Sequence, residues 1–413
     1  MQRALQFSVA CCICFIAMPL AAAGEFQFRN GDRVVLVGNT LIEREQLYGY
    51  WETLLTALNP DKNITFRNLG WSGDTVFGEA RAGFGTPTDG FRHLKEDVLA
   101  LKPMVLILGY GGNESFAGPA GLPRFLKGLD TLLDALAPTE ARIVLLSPLR
   151  HERLAAPLPD PTEHNKNLEL YRDALREVAL KRGYWFVDLY GLLPREREAP
   201  GARAVHLTDN GIHLTAYGYW RSAFSLARGL GFTPATWKIT FDSRGNRITA
   251  EATDVGRDPV APMRLNVKDS TLPFSPSPKV VDTNGNDFTT RRILRIHGLE
   301  AGDYLLKIDG RAVAVATAQQ WQRGVQIAPP TEASKQVEQL RKLIIEKNRL
   351  YFHRWRPENE TYLFGFRKYE QGQNAVEVPR FDPLVQKLDA EIAKLRTPVV
   401  HKYEIGPNGG AKK

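Results

Sequence analysis

The sequence predicts an α/β protein whose first half is a three-layer α/β/α domain built on a parallel sheet. Between residues 24 and 232, short apolar runs rich in β-branched and aromatic residues alternate with longer amphipathic runs. Strands covered on both faces give such continuous apolar runs, and parallel strands joined by crossover helices give this alternation. The composition fits a folded chain, since 43% of the 413 residues are hydrophobic and 24% are charged.

The spacing of apolar residues places five strands and five helices in this domain. The predicted strands cover residues 33–37, 64–69, 104–108, 143–147 and 185–189. The predicted helices cover residues 42–58, 91–101, 122–136, 165–181 and 215–230. Ligands of an open parallel sheet bind beyond the carboxyl ends of its strands, so the residues that follow each strand are the candidates for a site.

The second half of the chain has a different pattern. Residues 233–330 contain short alternating stretches separated by Gly, Asn, Asp and Pro, which predicts a small β-rich domain. Residues 331–413 predict a helical segment with helices over 331–351 and 383–395 and a mobile tail over 406–413. The loop between these helices interleaves aromatic residues with arginines, which indicates packing onto the α/β domain in preference to ligand binding.

Residues 1–23 have the features of a secretory signal peptide. Arg3 precedes an apolar run that ends in three alanines, although a retained membrane anchor is an alternative because the run is nearly long enough to cross a bilayer. Cys11, Cys12 and Cys14 all lie in this leader, so the rest of the chain has no thiol for a disulfide, a nucleophile or a metal site. We expect export to the periplasm or the extracellular space, with no membrane partner after cleavage.

The charge pattern argues against nucleic acid as a partner. The net charge of +8 is modest for this length, and the 54 basic residues are scattered among 46 acidic ones instead of forming a basic face. No metal is expected either, because the spacing of His151, Glu152 and His164 fits no common metal site.

Groups suited to acyl transfer follow the predicted strands. Thr40, Gly73 and Asn113 come after the first three strands, and His213 precedes the last predicted helix of the domain. A hydroxyl, amide donors and an imidazole at one edge of a sheet are what acyl transfer requires. Each also has an ordinary structural interpretation, as a helix N-cap, a turn residue, a loop cap and a structural histidine respectively, so the prediction depends on the combination.

Four sequence blocks carry a family resemblance. They are Gly38-Asn39-Thr40, Ser72-Gly73-Asp74-Thr75, Gly111-Gly112-Asn113-Glu114 and Asp209-Asn210-Gly211-Ile212-His213. In order and separation they resemble the blocks of the SGNH, or GDSL-type, hydrolases, over about half the chain. The resemblance implies that Thr40 is the nucleophile and His213 the general base. It also implies an oxyanion hole formed by Thr40, Gly73 and Asn113.

Two positions depart from the family pattern. Thr40 stands where the family has serine, and its methyl group restricts the rotamer and crowds the approach of a carbonyl. Asn210 stands where the family has the aspartate that orients the histidine, and Asp209 is displaced from that position by one residue. An asparagine oxygen can hold a histidine tautomer, but it stabilises an imidazolium less than a carboxylate does. Asp209 takes the place of the family's aspartate only if the loop before His213 is reshaped.

Other residues near the same edge leave alternatives open. His151 and Glu152 lie in a long loop after the fourth strand, which is either substrate-facing or a solvated connection. Ser72 is an alternative hydroxyl, and Asp74 with Glu114 is an alternative carboxylate pair for glycoside cleavage.

The sequence therefore predicts an exported hydrolase acting on a small-molecule or polysaccharide ester, with acyl groups on a carbohydrate as the suggested substrate. No cofactor is expected, since the chain's own groups suffice for this chemistry. The alternative is a catalytically degenerate carbohydrate-binding or scaffold protein of the same fold, which the substitutions at Thr40 and Asn210 favour.

Overall fold

A computed structural model describes most of the chain downstream of the predicted leader. The described residues are 25–192, 205–233, 236–245, 247–259, 261, 263–279, 291–370 and 372–409. The predicted signal peptide, residues 1–23, lies outside them. Over these ranges, the structure contains no helix with the length and apolarity needed to cross a bilayer.

The first domain is built on a five-stranded parallel sheet. Its strands are β1 (Arg33–Gly38), β2 (Thr65–Gly70), β3 (Val105–Gly109), β4 (Arg142–Leu146) and β5 (Trp185–Val187). They pair in the order β2-β1-β3-β4-β5, and every pairing is parallel. The order reverses between β1 and β3, and such a switch point opens a crevice at the carboxyl ends of the strands.

Helices cover both faces of this sheet. They are α1 (Thr40–Tyr48), α2 (Tyr50–Leu58), α3 (Pro87–Ala100), α4 (Gly118–Leu136), α5 (Thr162–Arg182) and α6 (Ala216–Gly229). Val34 and Leu36 of β1 enter one hydrophobic core, while Val35 and Val37 enter another, because successive side chains of a strand point to opposite faces. The predicted three-layer α/β/α domain is confirmed.

One predicted helix of this domain is two helices. The pattern over residues 42–58 predicts a continuous helix, but Gly49 adopts a φ of 65° and its amide bonds to the carbonyl of Glu45 at 2.8 Å, which ends α1. The chain then restarts as α2, in which every residue from Tyr50 to Ala57 is buried.

The second domain is a sandwich of two β-sheets. Its elements are β6 (Trp237–Asp242), β7 (Ile248–Glu251), β8 (Thr253–Arg257), β9 (Arg264–Asp269), β10 (Arg292–His297), β11 (Asp303–Ile308), β12 (Arg311–Thr317), α7 (Ala318–Arg323) and β13 (Val325–Gln326). One sheet has the order β13-β10-β6-β7 and the other β12-β11-β14-β9-β8, where β14 is Val400–Pro407. Alternate residues of both sheets share one core, which includes Trp237, Leu294, Leu306 and Tyr403.

The C-terminal segment is helical over most of its length but ends in a β-strand. It contains α8 (Thr331–Trp355), α9 (Glu360–Leu363) and α10 (Phe381–Leu395), followed by β14. The prediction of a helical segment with a mobile tail beginning at residue 406 is corrected here, because β14 pairs with β9 and β11 inside the sandwich and runs through residue 407. His401, Tyr403 and Ile405 alternate with exposed residues, and this period of two buries one face of a strand.

The aromatic and basic loop after α8 packs on the α/β domain, in agreement with the favoured interpretation. The rings of Trp355 and Trp71 lie 5.8 Å apart, and the Arg356 guanidinium lies 3.6 Å from the centre of the Trp71 ring. Arg356 also pairs with Glu43 of α1, Nη1 to Oε1 at 2.8 Å. The C-terminal segment therefore reaches the loop that follows β2.

Candidate active site

A cleft opens at the carboxyl ends of β1, β3 and β4. Its walls include Thr40, Asn113, His151 and His213. The sequence places these residues far apart, and the parallel sheet brings them to one edge because all its strands end there.

Thr40 is positioned by the two residues before it. Gly38 approaches β3 so closely that a Cβ atom there would lie 2.4 Å from the carbonyl oxygen of Gly109. Asn39 then caps α1, since its Oδ1 accepts a hydrogen bond from the amide of Leu41 at 3.1 Å. The capping role that the sequence left open for Thr40 is thus filled by Asn39, and the Thr40 hydroxyl lines the cleft.

Amide donors lie beside this hydroxyl. Gly73 has a φ of 77°, which favours glycine, and its amide donates to Thr40 Oγ1 at 3.3 Å. Asn113 Nδ2 donates to the carbonyl of Asp74 at 2.8 Å. A side-chain amide nitrogen carries two hydrogens, so the second hydrogen of Asn113 is available to a ligand in the cleft.

Glu114 joins the two loops that carry these donors. Its Oε1 accepts from the amide of Val76 at 2.9 Å, and its Oε2 accepts from the amide of Gly111 at 2.8 Å. Burial raises the pKa of Glu114 to about 7, although the bonded amides favour the ionised form. Sequence reasoning missed this role, because spacing gives no signal for which backbone amides a glutamate will reach.

Asp74 and Glu114 do not form the carboxylate pair that glycoside cleavage requires. The Asp74 side chain is fully buried and pairs with the equally buried Arg81, Oδ2 to Nε at 2.7 Å. Tyr110 also donates its hydroxyl to Asp74 at 3.1 Å. Both carboxylates hold loops together beneath the cleft, so the glycosidase alternative is wrong.

His213 is held by Asn210 in a way that determines where its proton lies. Asn210 Oδ1 accepts from the amides of Ile212 and His213 at 3.1 and 2.9 Å. The other end of the same amide group, Nδ2, lies 3.1 Å from His213 Nδ1. Because Nδ2 can only donate, Nδ1 must accept and the ring proton resides on Nε2. If the Asn210 amide were flipped, its Nδ2 would face the backbone N–H groups of Ile212 and His213, and donors would meet donors.

Asp209 lies near His213 without bonding to its ring. The Asp209 carboxylate pairs with Arg44, Oδ2 to Nη2 at 2.7 Å. Burial and then the charge of Arg44 lower the pKa of His213, while the charge of Asp209 acts in the opposite direction. Asp209 therefore affects His213 through its charge and does not orient the imidazole.

The two residues predicted to contact substrate have different surroundings. His151 lines the cleft, and burial, followed by the charges of His164 and His213, lowers the pKa of His151 to about 4. Glu152 instead accepts hydrogen bonds from the amides of Thr208 and Leu207, at 2.8 and 3.4 Å. The prediction that Glu152 faces the ligand is corrected, because its carboxylate is used to hold the loop that leads to His213.

The hydroxyls and bases of the site are close but not directly bonded. Across the described part of the chain, no hydrogen bond joins Thr40 to His213, and catalytic hydrogen bonds are often long before substrate binds. Ser72 donates its hydroxyl to Glu43 and does not line the cleft. Nor does the described chain contain a group of three or more His, Cys, Asp or Glu side chains able to hold a metal ion.

Comparisons with known proteins agree with this architecture. Residues 36–221 match the model of the GDSL-like lipase/acylhydrolase family, and no curated protein matches the chain. Among solved structures, BT4096, a gut microbial diltiazem-metabolizing enzyme, is similar with a TM-score of 0.70 and 14% identity, over 94% of this chain and 100% of that chain. This likeness shows that the fold of nearly the whole chain, sandwich and C-terminal helices included, occurs in another protein.

Two further structures match about half of the chain. Axe2, an acetylxylan esterase from Geobacillus stearothermophilus, is 20% identical with a TM-score of 0.39, over 50% of this chain and 96% of that chain. LAE5, an α/β hydrolase enzyme from the metagenome of Lake Arreo, is 24% identical with a TM-score of 0.37, over 49% and 97% of the two chains. The family match covers all four blocks around Thr40, Gly73, Asn113 and His213, and it identifies residues 36–221 of this chain as similar to the GDSL-like lipase/acylhydrolase family.

Proposed function

We propose that this protein is an exported hydrolase of carboxylic esters, with Thr40 as nucleophile and His213 as general base. The observation that carries the proposal is the placement of the Thr40 hydroxyl. It is not used to cap its helix, it lies 3.3 Å from the Gly73 amide, and it lines the same cleft as Asn113 and His213. These are the groups that acyl transfer requires.

In the proposed reaction, His213 Nε2 takes the hydroxyl proton while Thr40 Oγ1 forms a bond to the carbonyl carbon. The amides of Thr40 and Gly73, with Nδ2 of Asn113, donate to the resulting oxyanion. Collapse of this intermediate breaks the bond to the alcohol, which leaves with the proton from His213. Water, deprotonated by the same nitrogen, then releases the acid from Thr40.

The bond from Asn210 makes this reaction slow. His213 must present an unprotonated Nε2, yet the Asn210 amide favours the tautomer that is protonated there. The reactive tautomer directs its Nδ1 hydrogen at the Asn210 amide hydrogen, so it is a minor species. We therefore expect a low turnover number in the wild-type protein, not a loss of chemistry.

The noncatalytic alternative is not favoured. Residues 36–221 match the model of a family of lipases and acylhydrolases, and the chain keeps a hydroxyl, an imidazole and an amide donor in one cleft. Export and an acylated carbohydrate substrate stay part of the proposal. They rest on the pattern of residues 1–23 and on the sequence resemblance, and sequencing the amino terminus of the protein recovered from its own cells tests the first of them.

The test of the proposal is hydrolysis of a simple ester by the wild-type protein and its variants. Thr40→Ala and His213→Ala are each expected to lower kcat on p-nitrophenyl acetate by about 100-fold or more. Thr131→Ala, which removes an exposed hydroxyl on α4, is the matched control and should retain the wild-type rate. Equal rates in all four proteins would refute the proposed mechanism.

A further inference from the structure

Three rings pack together at one side of the cleft in a cluster that is called the stack below, and in it the Phe116 and His151 rings also lie 6.0 Å apart at 44°. Phe116 and His164 lie 4.1 Å apart with an interplanar angle of 26°, and His164 and His151 lie 4.7 Å apart at 29°. Phe116 and His151 both line the cleft, and Phe116 is 65% exposed. A large aromatic side chain at the cleft, open to solvent on this scale, offers a face to a ligand.

Separate elements hold the stack in place. Phe116 belongs to a short turn after Asn113, His151 to the loop after β4, and His164 to the first turn of α5. The backbone of His151 is fixed by Asn165, which accepts from its amide at 2.8 Å and donates to its carbonyl at 3.0 Å. His164 Nε2 lies 3.2 Å from the Ser115 hydroxyl. The rings are therefore positioned before any ligand arrives.

The stack is uncharged, and apolar side chains adjoin it. Burial lowers the pKa of both histidines, that of His151 to about 4, so both rings are neutral at physiological pH. Leu168, one turn after His164, and Pro148 with Leu149, just before His151, line the adjoining wall. These apolar side chains and the exposed Phe116 ring suit an uncharged aromatic ring.

We propose that the Phe116–His164–His151 stack is a binding subsite for an uncharged aromatic ring, so that the natural substrates are esters of an aromatic acid or of an aromatic alcohol. An aromatic acid is compatible with the carbohydrate alcohol proposed above, whereas an aromatic alcohol replaces it. Aromatic rings prefer offset or tilted stacking on such a surface. The inference rests on the proposed ester hydrolysis, and it assigns the substrate class of that same cleft. The ring belongs either to the alcohol or to the acid of the ester, and the two cases differ in which model ester responds.

Kinetics with paired esters tests the subsite. Phe116→Ala should lower kcat/KM about tenfold for phenyl acetate or for methyl benzoate, mainly through KM, and change it less than twofold for ethyl acetate. A loss confined to phenyl acetate assigns the ring to the alcohol, and a loss confined to methyl benzoate assigns it to the acid. Phe84→Ala, which truncates a phenylalanine that is 85% exposed and lies outside the cleft, is the matched control. Equal losses on aryl and alkyl esters, or none, would overturn the proposal.

A binding measurement separates this proposal from the catalytic one. In Thr40→Ala, phenol or methyl benzoate should shift the ring-proton NMR signals of His151 and His164 upfield in a saturable way. The shifts should disappear in the double variant Thr40→Ala/Phe116→Ala. Saturable shifts without wild-type hydrolysis would refute only the proposed function, whereas hydrolysis without shifts would refute only the aromatic subsite.

Discussion

At the scale of single residues, the side chain of Asn210 determines which ring nitrogen of His213 carries the proton. Its oxygen is occupied by two backbone amides, so only its nitrogen is left to face the ring. An aspartate at the same position would keep those two bonds and accept a third from Nδ1. One substituted atom thus exchanges a donor for an acceptor and moves the imidazole proton from one nitrogen to the other.

Asn210→Asp is expected to raise kcat by at least about tenfold, because it places the proton on Nδ1 and leaves Nε2 free to act as base. In a serine protease the converse change, which gives the wrong tautomer, lowers kcat by about 10⁴. The new carboxylate also raises the pKa of His213, so the acid limb of the kcat/KM profile should move to higher pH. Initial rates against pH and the ¹⁵N shifts of the ring measure both effects.

Asn374→Asp, which adds the same charge at an exposed and distant position, is the control for net charge. An unchanged rate in Asn210→Asp, together with a proton still on Nε2, would contradict the assignment of the tautomer.

Asp209 offers a test of electrostatics at the same histidine. Burial and Arg44 lower the pKa of His213 below its ordinary value, so the acid limb for the wild-type protein should lie below about pH 6.5. Asp209→Asn removes the charge that opposes this lowering, and the limb should therefore move to still lower pH. Asp61→Asn, at an exposed carboxylate in the turn that follows α2, should leave the profile in place. A move to higher pH would show that Asp209 does not act through its charge.

At the scale of elements, the loop after β2 is held from two sides. Glu114, in the turn after β3, bonds to the amide of Val76 within that loop. On the opposite side, Arg356 lies on Trp71 and pairs with Glu43, which also accepts the hydroxyl of Ser72. Gly73 lies between these supports, so the C-terminal loop helps to position one donor of the proposed oxyanion hole.

Arg356→Ala should lower kcat about tenfold and change KM little, because a displaced Gly73 amide affects the oxyanion more than the bound ester. Arg356→Lys should recover only part of the rate, since an ammonium pairs with Glu43 but does not stack as a planar guanidinium does. Steady-state kinetics gives the two constants, and Arg367→Ala, which removes an exposed arginine paired with Glu370, is the control. If KM rose while kcat stayed constant, Arg356 would be a substrate contact instead of a positioning residue.

At the scale of the whole molecule, the C-terminal segment connects the two domains. Helix α8 packs on the α/β domain, and β14 then completes a sheet of the sandwich. Lys347 of α8 is fully buried, with Nζ 2.5 Å from Glu52 Oε1 and 3.2 Å from the carbonyl of Phe66. Trp220 of α6 adds a second connection, donating from its indole nitrogen to the carbonyl of Ser275 at 2.9 Å.

Lys347→Ala should lower the free energy of unfolding by about 3–5 kcal/mol, because it leaves Glu52 buried without its partner. Replacing both partners, as Lys347→Met with Glu52→Gln, should recover part of that loss since no charge is then left unpaired. Urea unfolding followed by circular dichroism gives the free energies, and Lys342→Ala, at an exposed lysine of the same helix, should cost less than about 0.5 kcal/mol. Similar midpoints for Lys347→Ala and Lys342→Ala would mean that the buried pair does not stabilise the docking of α8.

The amino-acid sequence was enough to predict the α/β domain and the sheet edge at which the candidate site lies. The apolar runs gave β1 to β5 within about two residues of their observed ends, because burial on both faces leaves a local signal in each strand. Thr40, Asn113 and His213 could be expected at one edge because parallel strands share the direction in which they end. The strand β14 carried a period-two pattern as well, but its pairing with β9 and β11 is a contact between distant parts of the chain.

What each polar group does at that edge depends on contacts between elements that are distant in the sequence. The direction of the Asn210 amide, the use of Glu152 to bind backbone amides, and the stacking of Phe116 on His164 all depend on partners that no spacing specifies. The spacing of apolar residues indicates which side chains are buried, since burial repeats with the period of the helix or strand. This spacing does not indicate which donor or acceptor a polar side chain contacts, because hydrogen bonds are directional and their partners come from other elements.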